Sequence, residues 1–152
     1  MATQYTAGLS AGQILTAATM NQIGAASVTY TPTFTQSATI TKTINIARYW
    51  QVQKFVIVQF SMTATSSGTA GNAVLVGLPL TALSSSSQVW GAASFTGGAS
   101  HYGNKVGTCY GNTTTTMSFL FQDGVSNLFG VNPSFQILSG DNIAGTLIYE
   151  VA

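Results

Sequence analysis

His101, Cys109 and the carboxylates Asp123, Asp141 and Glu150 are the groups from which acid–base, nucleophilic or metal chemistry would have to be built in this 152-residue chain. A Ser–His–Asp site needs a histidine base held by a carboxylate. Here the single histidine sits beside Ser100, Tyr102 and Gly103, the surroundings of an exposed Gly-rich loop. A Cys109–His101 pair has no third partner in the sequence to orient the base. Two carboxylates for glycoside hydrolysis would have to come from Asp123, Asp141 and Glu150. Asp123-Gly124 and Gly140-Asp141-Asn142 are turn contexts, in which an Asp bonds its own backbone. The spacings C-x-x-C, H-x-x-x-H and the EF-hand are missing. Calcium held by loop carbonyls and Asp141 is the one metal arrangement left open. Gly103-Asn104-Lys105 lacks the spacing of a phosphate loop. The expectation is a chain that is not an enzyme, with no catalytic residues, no cofactor and no metal site.

Aromatic side chains are the remaining candidates. Trp90, Tyr102 and Tyr110 could stack on sugar rings, with Asn104 and Asn112 bonding hydroxyls. These three are the candidate surface-recognition residues. Packing in the core or at a subunit interface explains the same rings, and a small-molecule ligand is not expected.

Composition narrows the reading further. Charged residues make up 5% of the chain, against about 25% in an ordinary soluble domain. Water is met instead by hydroxyls, amides and 16 glycines. Charge normally keeps proteins apart, and hydroxyls cost less to desolvate than ions. Such a surface suits a chain packed against copies of itself or a larger assembly. The net charge of +1 gives no field to draw nucleic acid or an acidic membrane. Lys42, Arg48, Lys54 and Lys105 all precede Asp123, Asp141 and Glu150, which is either chance or a basis for attraction between neighbouring copies. Cys109 is alone, so no intrachain disulfide exists. No basic stretch followed by an apolar run opens the chain, so no secretory signal is expected. Apolar runs such as Phe55–Val58 are far too short to span a bilayer as a helix.

The elements that must position these groups read as strands. Residues 1–27 stand apart as an uncharged arm. Within it, Thr16 is a plausible N-cap for a short helix over Ala17–Ile23, stopped at Gly24, with Leu15 and Met20 at the staple positions. Two turns of helix cannot stand alone, so Tyr5, Leu9, Ile14, Leu15, Met20 and Ile23 are candidate anchoring residues. From Tyr30 onward the period is two. Trp50 and Val52 share parity with Val56, Val58, Phe60 and Met62, which reads as one strand buried on both faces at its start. Met117, Phe119 and Phe121 form another strand, and Leu147, Tyr149 and Val151 another. Val89, Ala93 and Phe95 give a weaker one, as do Val106, Thr108 and Tyr110. Turn residues at Ser66–Gly71, Ser84–Ser87, Gly97–Asn104, Asp123–Gly124 and Ser139–Asn142 separate them. Phe55–Phe60 is an aggregation hazard, guarded by Lys54 and safest in a central paired strand. The fold expected is all-β: an arm with one small helix over 1–27, then a single antiparallel β-sandwich or jelly roll over 28–152.

Tyr30-Thr-Pro-Thr-Phe34, then Tyr49-Trp-Gln-Val-Gln-Lys-Phe-Val-Ile-Val-Gln-Phe60, form one pattern with Gly68-Thr-Ala-Gly71 and Val76-Gly-Leu-Pro-Leu-Thr-Ala82. This pattern resembles small β-domains of tailed-bacteriophage virions: capsid decoration (cement) proteins, head fibres, and minor tail or fibre-tip proteins. The lead-in Ser10-Ala-Gly-Gln-Ile-Leu-Thr-Ala-Ala-Thr-Met-Asn-Gln-Ile-Gly24 is similar to one seen before such domains. The resemblance covers roughly residues 8–82 and departs at Gln53, where Gly is usual before Lys54. The half after Ala82 carries none of it. The resemblance implies a virion protein that forms a homotrimer about a threefold axis. It would sit on the capsid surface against the major capsid protein, or alternatively in the tail, touching the host surface and its glycans.

Overall fold

The computed structural model describes residues 26–84, 88–98, 103–121, 128–132 and 134–152. The helix expected over Ala17–Ile23 lies outside them. The described part is all-β, as the period-two pattern requires. Its strands are β1 (Val28–Thr29), β2 (Phe34–Gln36), β3 (Ala38–Thr39), β4 (Lys42–Val52) and β5 (Phe55–Ala64). They continue as β6 (Leu75–Gly77), β7 (Val89–Thr96), β8 (Asn104–Gly111), β9 (Thr116–Phe121) and β10 (Asn142–Glu150).

All ten join one sheet in the order β1-β4-β5-β10-β7-β8-β9-β6-β2-β3. Every ladder is antiparallel. Chain length dictates the curvature. β3 lies at one edge of the order and β4 next to the other, yet only Ile40 and Thr41 separate them. Three residue steps reach about 11 Å at most, so the two margins of the sheet must come together. The sheet therefore curls into a half-barrel. Ile40 donates its N–H to Phe34 O at 2.8 Å on the β2 side and Thr65 donates to Thr41 O at 2.7 Å on the β5 side, so the two linking residues are held from both margins. A jelly roll needs two separate sheets, and a ladder unbroken through ten strands does not establish that finer arrangement.

Alternation decides the inside. Val56, Val58, Phe60, Met62 and Ala64 of β5 are all buried, and their partners Tyr149, Leu147, Gly145 and Ile143 on β10 share the inner face. Phe95, Phe119, Phe121, Phe129 and Phe135 complete it, with ring centroids as close as 4.1 Å for Phe129–Phe135 and 4.4 Å for Phe121–Phe129. The apolar, uncharged β5 is paired on both sides, by β4 and β10. That is the protected position its aggregation-prone sequence calls for.

One expectation is overturned here. Residues 50–62 are not one strand. Gln53 and Lys54 form a two-residue hairpin loop, with Val52 opposite Phe55. Residues facing each other across a hairpin share a face, so the reversal moves Trp50 and Val52 onto the side of Phe55 and Ile57. They point outward, while Val56 and Val58 point in. Gln53 takes a φ of +54°. Two-residue hairpin loops want a left-handed residue at this point, which is why Gly suits it.

Candidate functional site

Among the described residues the chemistry-bearing groups Cys109, Asp141 and Glu150 are scattered rather than gathered. His101, Asp123 and Tyr102 lie outside the described residues, as do Tyr5, Leu9, Ile14, Leu15, Met20 and Ile23. Cys109 is fully buried on the inner face, and its thiol donates to Ala92 O at 3.3 Å. Burial pushes that thiol up to about 12, so it stays protonated and unreactive at neutral pH. Glu150 is exposed at the far end of β10.

Asp141 is buried just ahead of β10. Its Oδ1 accepts the N–H of Gly98 at 3.0 Å and its Oδ2 accepts that of Leu138 at 2.9 Å. Both oxygens thus tie backbone, the turn role expected of a Gly-Asp-Asn sequence. Among the described residues no group of three His, Cys, Asp or Glu side chains could hold a metal ion.

A second buried polar side chain was not anticipated. Gln36 closes β2 with its amide wholly inside the protein. Its Nε2 donates to Asn72 O at 3.1 Å and to Phe135 O at 2.8 Å, while its Oε1 accepts the Ile137 N–H at 3.0 Å. A side chain at Gly68 would run into Oε1, and one at Gly130, held at a φ of +100°, would meet Nε2. Two glycines therefore make room for one amide. The isolated Gln in the sequence carries no signal of this. The nearby glycines do, but only once their spatial partner is known.

The candidate recognition aromatics separate. Trp90 is 7% exposed and packs its ring 5.4 Å from that of Tyr149. It has no ring face to offer a sugar. A β-bulge between Val89 and Gly91 turns it inward, and Gly111 leaves it space. Tyr110 is half-buried on the opposite, outer face, beside Val89. Trp90 is thus a core residue, and the described part of the trio is not a cluster.

The outer face of the sheet holds what the sequence reading missed. At the hairpin end, cross-strand register lays the residues out as three rows over β4, β5 and β10. Val52, Phe55 and Glu150 form the first row, Trp50, Ile57 and Ile148 the second, and Arg48, Gln59 and Thr146 the third. Val52, Phe55 and Ile148 are 52%, 56% and 53% exposed. The Arg48 guanidinium lies 5.1 Å from the Trp50 ring centre and donates to Gln59 Oε1 through Nε at 3.0 Å and Nη2 at 2.8 Å. Further round the sheet, small residues (Ser61, Ala92, Ser94, Ala144) floor a shallow depression of about 390 Å³ between Ile46 and Val106. Val106 is 73% exposed and walls a second depression of about 360 Å³ with Thr108 and Leu120. These surfaces offer apolar contact and hydroxyls, with Arg48, Gln59 and Glu150 as the polar groups at the hairpin end.

No helix of the described residues is long and apolar enough to cross a membrane. Searches against protein-family models, curated proteins and solved structures give no match for this chain.

Proposed function

We propose that the chain is a non-enzymatic structural protein of a tailed-bacteriophage virion, a homotrimeric capsid decoration protein that clamps neighbouring capsomers. One observation carries this reading: the outer sheet face exposes Val52, Phe55, Val106 and Ile148 in a chain with 5% charged residues. Large exposed apolar patches mark interaction surfaces, and few ions resist their being covered. The pattern over residues 8–82 supplies the kind of assembly. Clamping works by adding buried contact area across capsomer boundaries, which needs a rigid body and an anchor. The curled sheet is the body, stacking its two halves much as a sandwich would. Residues 1–27 are the anchor, through Tyr5, Leu9, Ile14, Leu15, Met20 and Ile23. No nucleic acid, membrane or cofactor is required.

The rival placement at the tail tip would use Trp90, Tyr102 and Tyr110 on host glycans. The burial of Trp90 weighs against it.

Antibody labelling of intact phage particles tests the reading. Label spread over the head is the expected result; label at the tail tip selects the rival, and particles without label overturn both. Deleting residues 2–24 should abolish attachment to shells while the β-domain stays folded. Undiminished attachment would remove the anchoring role.

A further inference from the structure

The block of three rows at the hairpin end has a symmetry that goes beyond the virion reading. Its apolar residues are Trp50, Val52, Phe55, Ile57 and Ile148, and its two charges stand at opposite corners, Arg48 on β4 and Glu150 on β10. They are two strand spacings and four residues of rise apart, on the order of 17 Å. Arg48 therefore cannot satisfy Glu150 within one chain. A twofold axis lying in the surface, along the other diagonal through Val52, Ile57 and Thr146, changes this. It sets Arg48 over Glu150 of a second copy, and Glu150 over that copy's Arg48. The same rotation brings Trp50 over Phe55 of the second copy and Ile148 over its Gln59. Opposite charges meet, and aromatic meets aromatic. A twofold interface requires this kind of self-complementarity.

The geometry points to this face as the site of a twofold contact between two copies of the chain, closed by reciprocal Arg48–Glu150 pairs around a Trp50–Phe55 core. Lys54 lies in the hairpin loop, outside the block. The block spans on the order of 10 Å across strands and 14 Å along them, less than the ~800 Å² per partner of a tight complex. The contact is accordingly weak and concentration-dependent, suited to chains already held close together.

Sedimentation equilibrium over a wide concentration range tests it, with circular dichroism confirming the fold of each variant. The full chain should self-associate. Arg48→Glu and Glu150→Arg should each weaken association by at least about tenfold, because like charges then face each other. The double variant Arg48→Glu/Glu150→Arg should recover it, since the pairs re-form reversed. Phe55→Ser should abolish it with both charges in place. If Arg48→Glu disturbs the sheet through the loss of Gln59, the exposed Glu150→Arg still decides the matter. Four results overturn the contact: a single species at every concentration, indifference to either reversal, no recovery in the double variant, or association only after removal of residues 2–24. Trimers indifferent to both reversals would overturn it while leaving the virion reading intact.

Discussion

The two ends of the curled sheet solve opposite problems. At one end, where β5 stops and β10 begins, two buried polar side chains gather the connecting loops. Gln36 bonds Asn72, Phe135 and Ile137, and Asp141 bonds Gly98 and Leu138. Beneath them Phe95, Phe121, Phe129 and Phe135 pack ring against ring. At the other end, the β4–β5 hairpin leaves Val52 and Phe55 in water. One end is finished within the chain; the other leaves apolar surface for something else to cover. The difference teaches where to look for stability and where for association, and substitutions should separate the two.

The largest effect is expected inside the end that is finished within the chain. Phe95→Ala removes a ring that touches three others and should cost about 3–5 kcal/mol of unfolding free energy. Phe55→Ser at the bare end should stay within about 0.5 kcal/mol of the native chain. Urea titration of both variants checks the contrast, and equal losses would break it. Next, Gln36→Leu strips partners from two buried carbonyls and one N–H, a loss of at least about 2 kcal/mol by the same titration. Asp141→Asn keeps the shape but turns an amide N–H₂ toward a backbone N–H, for about 1–2 kcal/mol. A thermal melt should show this as a lowered midpoint.

Alkali should act from the other side. Burial raises Cys109 from 9.0 to about 12, and raises Tyr30 and Tyr149 as well. A folded state that holds its protons longer than the unfolded one is favoured in full below the unfolded value. It loses that advantage as pH climbs through the folded one. Stability should therefore be level up to about pH 9 and fall beyond it, with a shallower fall in Cys109→Ala. Denaturation midpoints at stepped pH measure it. Smallest of all, Gln53→Gly relieves a left-handed residue and should raise stability by no more than about 1 kcal/mol.

Much of the sheet could be read from alternation. Met117, Phe119 and Phe121 point inward as their spacing requires, and Asp141 serves its turn. The β4–β5 reversal stayed hidden because Gln53-Lys54 carries none of the Gly, Asn or Asp that announces a hairpin. That one omission inverted the faces of Trp50 and Val52 and concealed the exposed block. Trp90 misled for a different reason, since period two does not foresee the bulge that turns it inward. The Gln36 node joins residues up to 101 apart in the chain, a distance at which local pattern is silent. Strand order is equally non-local, so alternation could give the strands but not the single curled sheet.

The account rests on the bare end being made to be covered. Sedimentation equilibrium of the intact chain beside Phe55→Ser puts this to the test most directly. The prediction is an average mass that climbs above the single-chain 15.7 kDa with concentration, and a lower average mass for the variant at each concentration. Both proteins holding at 15.7 kDa up to the highest concentration would contradict it.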